Sequence, residues 1–442
     1  MKINTTNHPI KSWVVLIVIL GTLGGSQKIK ASYNFQVEQQ EVFNQYKGKI
    51  IDSNTKKELV FATIAIENSN ISTVTNSEGD FSLKVPKNME EVTVFISFLG
   101  YKTKTINLSD LKDTTLKIAL ETAVTALSEV NIVVPNNAEL VVRETLRNKG
   151  ANYFEFPTLM TAFYRETIKK RKKNVSLSEA VVNIHKTSYS SKQTDAVELY
   201  KARKSTDYSK LDTLTLKLQG GPFNTLFIDL MKYPEYVFTE ETIPLYTYTF
   251  ERSARINEQL IYVINFVQKE KTPNQLYKGQ LFIDAKHKIL TSAIYELNIT
   301  DRENAARMFV KRKPAKANVY PTAVAYRVDY REKDNKWYYG YSNVMLEFKI
   351  NWDDKWFNSV YSMTCEMAVT DWEKNIGKNL KGREKLRKNI ILSDEAVGFS
   401  DPDFWGEYNI IEPEKSIESA IKKIQKQIKK NKIGGTVAAL KP

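Results

Sequence analysis

Cysteine and histidine are scarce in this sequence, which has one cysteine and three histidines in 442 residues. A single thiol cannot form an internal disulfide, and in an oxidising compartment an unpaired thiol is safest inside a core. Cys365 stands in the mostly apolar stretch Tyr361–Val369. We therefore predict that Cys365 is a buried core residue rather than a catalytic nucleophile.

The scarcity of histidine also argues against a metal centre. A zinc peptidase needs two or three spaced ligands and a carboxylate base, because the metal must keep one position open for water. His8 lies near the N-terminus, His185 falls in a strand pattern and His287 in a turn, and none has a partner ligand nearby in the sequence. We predict no metal site and no cofactor.

Motifs of the common enzyme classes are absent as well. The chain has no G-x-S-x-G elbow of serine hydrolases, no P-loop and no dinucleotide-binding glycine fingerprint. The paired carboxylates Asp353–Asp354, and Asp401 with Asp403, fall in turn-like segments, which disfavours a glycosidase site. We predict that the protein has no catalytic residues and is not an enzyme. A hydrolase with a nonstandard site is the second alternative.

Long apolar runs are absent apart from one near the N-terminus. The run Trp13–Leu23 follows Lys2 and Lys11 and precedes small residues, as in a secretory leader. It has about half the length of a membrane-spanning helix. Cleavage after Ser26 or after Ala31 fits this pattern, and an uncleaved anchor is the alternative. We expect an exported protein of the periplasm or of the periplasmic face of the outer membrane.

The composition is that of a folded, basic protein. Apolar residues make up 42% of the chain, and the 23 tyrosines and 20 phenylalanines favour strands. The net charge of +14 suits either an anionic envelope surface or nucleic acid. Because the leader indicates export, we expect no nucleic-acid partner.

Short strands at close spacing follow the leader and predict an all-β sandwich. They cover Lys49–Ile51, Val60–Ile66, Phe81–Val85, Val92–Phe98, Lys104–Leu108 and Leu116–Leu120. The segment Asn76-Ser-Glu-Gly-Asp80 is best interpreted as a hairpin turn in which Gly79 has a positive φ, because the ligand pattern of a calcium loop is incomplete.

Four motifs in this region resemble the carboxypeptidase regulatory-like family. They are Gly48-Lys-Ile-Ile-Asp52, Ala62-Thr-Ile-Ala-Ile66, Thr75-Asn-Ser-Glu-Gly-Asp-Phe81 and Ser97-Phe-Leu-Gly-Tyr101. The resemblance implies a seven-stranded, transthyretin-like sandwich without catalysis of its own, as found at the N-terminus of many TonB-dependent receptors. The remaining chain is too short for the roughly 22 strands of such a receptor's transporter domain, so we do not expect a transporter.

The rest of the chain predicts a large curved antiparallel sheet with a few helices, so that the fold class is mostly β. Long strand patterns start at Leu159, and the segments Tyr277–Asp284 and Ile289–Leu297 form a natural hairpin. This region resembles the C-terminal part of uncharacterised envelope proteins that carry a regulatory-like sandwich. The hairpin is also similar to the sheet of lipoprotein carriers, in which a half-barrel wraps an acyl chain.

These patterns divide the chain into seven parts. They are a signal peptide (1–31), a flexible lead-in (32–45), the sandwich (46–123), a linker with a helix that starts after Pro135-Asn-Asn137 (124–150), a large antiparallel β domain (151–400), a C-terminal aromatic segment with a basic helix (401–433) and a tail (434–442). In the basic helix, apolar residues between Ile417 and Ile428 line one face and lysines the other, which fits packing on the sheet better than binding to an anionic membrane.

An aromatic cluster is the candidate ligand surface. Its members are Trp337, Tyr338, Tyr339, Tyr341, Trp352 and Trp356. Exposed aromatics can stack on sugars or cover a lipid, but alternating aromatics on neighbouring strands more often pack across strands. A second pair, Arg165 and Glu166, is expected to form an ion pair within one strand.

Taken together, these features predict a non-enzymatic exported envelope protein. The sandwich would be an interaction module and the large sheet a binding scaffold, with an envelope protein or outer-membrane complex as partner and a lipid or glycan as the candidate ligand. The alternative is a carrier of lipid or another hydrophobic ligand, which predicts a cavity lined by the inward residues of strands 246–297.

Overall fold

The computed structural model describes most of the chain between Phe43 and Lys415. The described residues are 43–89, 91–111, 116–123, 125–126, 137–171, 173–206, 218–251, 254–256, 259–269, 276–310, 313, 315–353, 358–375, 377, 380–398 and 404–415. The predicted leader, the basic helix, the tail and Trp356 lie outside them, as does the lead-in up to residue 42. No helix within these ranges is long and apolar enough to cross a membrane.

The N-terminal region is the predicted seven-stranded sandwich. Its strands are β1 (Phe43–Asp52), β2 (Thr63–Ile66), β3 (Ser72–Val74), β4 (Asp80–Pro86), β5 (Thr93–Ser97), β6 (Lys104–Asn107) and β7 (Lys117–Leu120). One sheet has the order β4-β1-β7 and the other the order β3-β2-β5-β6. The 3₁₀ helix Leu108–Leu111 lies between β6 and β7.

Two details of the sandwich differ from the sequence prediction. The first strand begins at Phe43, so the last residues of the predicted lead-in belong to β1. Its polar first half has no apolar periodicity, and only pairing with β4 from Phe43 onward makes it a strand. The short strand β3 was also missed.

The turn between β3 and β4 is the predicted hairpin turn. Gly79 has φ +74°, a region that glycine enters without a steric penalty. The Asn76 side chain closes the turn by accepting hydrogen bonds from the backbone N–H groups of Glu78 and Asp80, at 2.9 and 3.0 Å.

The remaining strands form one large sheet. They are β8 (Thr125–Ala126), β9 (Thr158–Lys170), β10 (Lys173–Lys186), β11 (Ala196–Thr206), β12 (Tyr246–Phe250), β13 (Ala254–Ile256), β14 (Gln259–Gln268), β15 (Tyr277–Asp284), β16 (Ile289–Leu297), β17 (Ala317–Lys333), β18 (Lys336–Trp352), β19 (Ser359–Lys374) and β20 (Val397–Gly398). The order is β20-β11-β10-β9-β19-β18-β17-β16-β15-β14-β13-β8, and β12 also pairs with β14. Every pair is antiparallel except β20 with β11 at one edge.

Short helices cover one face of this sheet. The helices are α1 (Ala138–Arg147), α2 (Lys149–Asn152), α3 (Phe223–Leu226), α4 (Arg302–Phe309) and α5 (Leu392–Glu395), with 3₁₀ turns at Pro234–Tyr236, Ile243–Leu245 and Gly382–Glu384. As predicted, α1 starts after Asn137, whose side chain accepts a hydrogen bond from the backbone N–H of Leu140 and caps the helix. Helices α1 and α3 pack into the main core on this face, which we call the inner face.

The central strands are buried on both faces. In β9, Ala162 and Tyr164 point to the main core on the inner face. Phe163, between them, points to the opposite, outer face, where it packs with Val74 of the sandwich and with Trp405. This two-sided burial follows from the alternation of side chains along a strand. The sandwich therefore lies on the outer face of the large sheet.

Gly48 tests how tightly the sandwich core is packed. A methyl group at this position would lie 2.8 Å from the Phe81 ring and 3.1 Å from the carbonyl oxygen of Leu116. We expect Gly48→Ala to lower the free energy of unfolding by about 1–3 kcal/mol, because the ring and the neighbouring strand must move. Denaturant titration measures this loss. Gly382→Ala is the control, since its methyl group would meet nothing within 4 Å, and an equal loss in both variants would contradict the packing argument.

Candidate functional site

An alternating row of arginine and glutamate crosses four central strands on the outer face. The residues are register partners on adjacent strands: Arg203 of β11, Glu179 of β10, Arg165 of β9 and Glu366 of β19. Arg165 lies 2.8 Å from Glu179 and 3.1 Å from Glu366, and Arg203 lies 2.9 Å from Glu179. We call these four residues the arginine–glutamate row.

The row is almost completely shielded from water, so its charges depend on each other. Arg165 is 2% exposed and Glu179 is 0% exposed. Burial by itself would lower the pKa of Arg165, but the charges of Glu179 and Glu366 outweigh it and the pKa is raised. Burial also raises the pKa of Glu366, against the opposing effect of Arg165. Removing one partner from such a buried pair leaves an uncompensated charge at a cost of about 3–5 kcal/mol.

The row contradicts the expected ion pair between Arg165 and Glu166. Adjacent residues of a strand point to opposite faces, so these two side chains cannot meet. Arg165 points to the outer face and Glu166 to the inner face, where Glu166 accepts a 2.8 Å hydrogen bond from the hydroxyl of Tyr164.

The line of register partners that contains the row continues across the next two strands toward the sandwich. Glu366 pairs in register with Asn343 of β18, and Asn343 pairs with Arg327 of β17. The Arg327 guanidinium lies 5.7 Å from the ring centre of Phe61 and 5.6 Å from that of Phe98, both in the sandwich. Cation–π contacts of Arg327 therefore join this line of residues in the large sheet to the sandwich.

The C-terminal segment Phe404–Lys415 lies between the sandwich and the large sheet. The backbone carbonyl of Ile411 accepts a 2.6 Å hydrogen bond from Arg165, and that of Ile410 accepts one from Thr73 of β3 at 3.0 Å. The ring of Trp405 lies 4.8 Å from the guanidinium of Arg203. The segment thus touches both domains and completes the arginine–glutamate row.

Asn409 fastens this segment to the edge of the sandwich. Its side-chain amide accepts a 2.7 Å hydrogen bond from the backbone N–H of Lys84 and donates one of 3.0 Å to the backbone carbonyl of the same residue. Lys84 belongs to β4, the edge strand of its sheet. The amide of Asn409 therefore substitutes for the next strand, which satisfies an edge that would otherwise be open to pairing.

Two clefts border the C-terminal segment. A cleft of about 150 Å³ is lined by residues of both domains, among them Phe43, Thr161 and Tyr408. A second cleft of about 260 Å³ lies between the β4-β1-β7 sheet and the end of the segment, with Lys47, Asp80 and Lys117 in its wall. Neither is lined by residues 246–297, where the carrier hypothesis places its cavity.

The inner faces of those strands are filled by the protein's own side chains. Phe238, from the segment before β12, packs edge-on against Tyr246 and Phe266, with ring centres 5.7 and 5.1 Å apart. Phe266 is completely buried. Helix α1 contributes Val141 to the same core.

A second buried charge cluster lies on the inner face. The Lys186 ammonium group is 3.0 Å from Asp195 and 2.8 Å from Asp229, and the Tyr330 hydroxyl donates a 2.9 Å hydrogen bond to Asp229. Burial would lower the pKa of Lys186, but the two carboxylates outweigh it and the pKa is raised. Its neighbours also include the rings of Tyr189, Tyr233 and Tyr339, with centroids 4.9–5.8 Å away.

This cluster joins distant segments without forming an accessible site. Asp195 precedes β11 and Asp229 follows α3, so Lys186 ties both segments to the sheet. Acidic residues from distant positions do meet here, and a hydrolase with a nonstandard site would need such a cluster in a cleft. They meet in the interior, however, where Asp229 is 0% exposed, and not in a cleft.

The predicted aromatic surface is mostly interior. Tyr338, Tyr339 and Tyr341 are buried, so they are not exposed for a ligand. Tyr341 instead stacks on Phe61 of the sandwich, with ring centres 4.7 Å apart. The half-buried Trp337 and Trp352 pack against the main core. The expectation of a surface was wrong for the tyrosines because these central strands are covered on both faces.

The cysteine is buried as predicted, and two of the histidines lie near carboxylates. Cys365 is fully buried in the main core, and burial raises the pKa of its thiol far above the usual range. His185 lies 3.7 Å from Glu198, and His287 lies 3.3 Å from Asp284. Within the described ranges, no three His, Cys, Asp or Glu side chains come together in a way that could hold a metal ion.

Two members of the arginine–glutamate row are marked in the sequence. Glu179 and Glu366 each stand alone among uncharged neighbours, whereas Arg165 is next to Glu166 and Arg203 is next to Lys204. A charge in such a position is either exposed or paired, and only the strand register shows which.

Comparisons with known proteins identify the N-terminal domain. Residues 46–133 match the family described as CarboxypepD_reg-like domain, so the sandwich is a carboxypeptidase regulatory-like domain. No curated protein matches the chain.

Solved structures give only weak similarity. Lipovitellin matches with a TM-score of 0.25 and 8% identity over 54% of this chain and 28% of its own, so this chain spans less than a third of that protein. An outer membrane lipoprotein-sorting protein domain from Vibrio parahaemolyticus has a TM-score of 0.25 and 13% identity, covering 56% of this chain and 96% of its own. A DUF1329 family protein from Desulfovibrio piger has a TM-score of 0.23 and 9% identity, covering 55% and 95%. At these scores the similarities carry no argument about fold or function.

The raised pKa of Glu166 is expected to make the stability of the fold depend on pH. Burial raises its pKa from 4.5 to about 7, and the hydrogen bond from Tyr164 only partly opposes this. A raised pKa in the folded state gives stability that is complete below about pH 4.5 and is lost as the pH rises through 7. The loss from this group amounts to about 3 kcal/mol.

We therefore expect the wild type to lose more stability than Glu166→Gln between pH 5 and 8 in denaturant titrations. Glu332→Gln changes an exposed glutamate and is expected to keep the wild-type profile. Parallel profiles for the wild type and Glu166→Gln would show that this carboxyl group does not titrate in the window.

The two hydrogen bonds between Asn409 and Lys84 are expected to stabilise the β4 edge locally. Asn409→Ala leaves the backbone N–H and carbonyl of Lys84 without these partners, at a cost of about 1–3 kcal/mol. We expect faster amide hydrogen exchange at Lys84 and along Phe404–Lys415, measured by mass spectrometry on peptic fragments. Asn389→Ala, at an exposed position, is the control. Unchanged exchange at Lys84 in the Asn409 variant would contradict the edge-capping role.

Proposed function

We propose that this chain is a non-enzymatic exported protein of the bacterial envelope, working in the periplasm or on the periplasmic face of the outer membrane. In this proposal the regulatory-like sandwich and the large sheet form a single scaffold that binds an envelope protein. The observation that carries the proposal is the buried junction in which the sandwich and the C-terminal segment cover the arginine–glutamate row.

The junction supports a scaffold because it removes freedom between the domains. Arg331 of β17 donates a hydrogen bond of 2.6 Å to Ser72 of the sandwich, and Asn70 donates one of 2.7 Å to the backbone carbonyl of Trp372. Together with the contacts of Phe61 and Arg327, these bonds hold the two domains in one arrangement. A partner that contacts both domains then meets a preorganised surface, which lowers the entropic cost of binding.

The buried ionisable groups support a structural rather than a catalytic role. In the arginine–glutamate row and around Lys186, each charge is held by an opposite charge in the interior, with 0% exposure for Glu179 and Asp229. A catalytic acid or base must reach the substrate directly or through one water. These groups meet other side chains of the fold instead.

The carrier alternative requires a change in structure. The inner faces of β12 and β14 already pack against Phe238, and residues of β15, β16 and α1 fill the same core, so an acyl chain would have to displace some of these side chains. The scaffold needs no such step, and it is the better supported of the two.

Native mass spectrometry of the chain, extracted gently from its own envelope, tests the scaffold. We expect retained mass of a second polypeptide, in a defined ratio. A lipid-sized adduct instead would favour the carrier, and a bare chain after mild cross-linking in the envelope would overturn both.

Two variants test whether retention of the partner depends on the junction. Phe61→Ala removes the ring that stacks on Tyr341, and it is expected to weaken retention of the partner because the domains lose their fixed arrangement. Phe227→Ala removes a half-buried ring within the large domain, away from the junction, and is the matched control. Equal retention by the two variants would show that the junction does not form the binding surface.

A further inference from the structure

The cleft of about 260 Å³ beside the end of the C-terminal segment collects lysines from three parts of the chain. Lys47 and Lys49 come from β1, Lys117 from β7 and Lys415 from the segment. Lys49 and Lys117 are register partners on adjacent parallel strands, so they stand side by side. Like charges in such positions repel each other and destabilise the sheet unless a counter-charge is present.

Two carboxylates offset only part of this charge. Lys47 forms a 2.6 Å ion pair with Glu412, and Lys49 forms a 2.8 Å ion pair with Asp80. Lys117 and Lys415 are exposed at the rim, and the described part of the chain provides no ion pair for either ammonium group. The residues of the lining therefore have an excess of two positive charges. Outside the lining, the carboxylate of Glu78 accepts a 3.3 Å hydrogen bond from the backbone N–H of Lys415.

The shape of the cleft distinguishes it from an ordinary basic surface. It is concave, and its lining also includes the apolar residues Phe81, Leu116 and Pro413. Gly48 adds no side chain there, and a larger residue would collide with Phe81. A volume of about 260 Å³ holds a phosphate group together with part of the molecule that carries it.

From this geometry we propose that the cleft binds a phosphate monoester. Such a group has a charge of roughly −1.5 to −2 at pH 7 and three acceptor oxygens, which matches the excess of two positive charges and the ammonium donors. Lys117 and Lys415 bind the phosphate oxygens, while Lys47 and Lys49 stay with their carboxylates and shape the wall. Because Lys415 belongs to the C-terminal segment and Lys117 to the sandwich, the site exists only when the segment is docked.

The phosphate site adds a class of ligand to the proposed scaffold. It is inferred from the cleft alone and does not depend on the scaffold. Native mass spectrometry tests the scaffold through a retained polypeptide, whereas the site is tested by titration with small molecules. Failure of one experiment therefore leaves the other informative.

Isothermal titration calorimetry of the full chain in low salt tests the site with glucose 6-phosphate, inorganic phosphate and glucose. We expect binding of glucose 6-phosphate that weakens with added salt, as for an exposed ionic contact, and no binding of glucose. Sedimentation with phosphatidylcholine vesicles, with and without phosphatidic acid, shows whether the same group is also recognised on a lipid. Equal affinity for inorganic phosphate would identify the free ion as sufficient.

The double variant Lys117→Gln with Lys415→Gln is expected to weaken binding of glucose 6-phosphate at least about tenfold, since two charged hydrogen bonds are lost. Lys87→Gln alters an exposed lysine of the sandwich outside the cleft and is expected to bind as the wild type does. Thermal unfolding of both variants verifies that they fold. No binding of any phosphate probe by the wild type, or undiminished binding by the folded double variant, would overturn the proposal.

Discussion

The alternating charges of the arginine–glutamate row are buried on the outer face of the large sheet, and they constrain the rest of this structure. Arg203, Glu179, Arg165 and Glu366 stand next to each other only when four strands are in one register. A slip of one residue would turn Arg165 into the apolar inner core and bring Tyr164 to the outer face. The desolvation of these ions is offset only when all of them are paired, so the row fixes the alignment of the central strands.

The row also explains why the two domains and the C-terminal segment belong together. The outer face carries Phe163, Val181 and Tyr341 beside the charges, and these side chains need an apolar cover. Val74 and Phe61 from the sandwich and Trp405 from the segment supply it. The carbonyl of Ile411 accepts a hydrogen bond from Arg165. Domain docking and charge pairing are thus parts of one buried junction.

Two buried ionisable groups on the inner face of the same sheet, Lys186 and Glu166, differ in their partners. Lys186 has two carboxylates as partners, so it remains charged and ties Asp195 and Asp229 to the sheet. Glu166 has the hydroxyl of Tyr164 as its hydrogen-bond donor, and burial raises its pKa to about 7. The difference is one of partners, because both side chains are equally removed from water.

Local sequence patterns by themselves determined the elements of this protein. Alternation and turn residues predicted the hairpin Tyr277–Asp284 with Ile289–Leu297, the helix after Asn137 and the turn at Gly79, because each depends on neighbours in the chain. Four motifs identified the sandwich, and the apolar surroundings of Cys365 predicted its burial. Only the tertiary structure decided that Tyr339 and Tyr341 are interior, that Arg165 and Glu166 point apart to different partners, and that Lys415 and Lys117 line one cleft. These facts depend on the strand register and on which face another domain covers, and contacts between residues hundreds of positions apart leave no periodic trace in a single sequence.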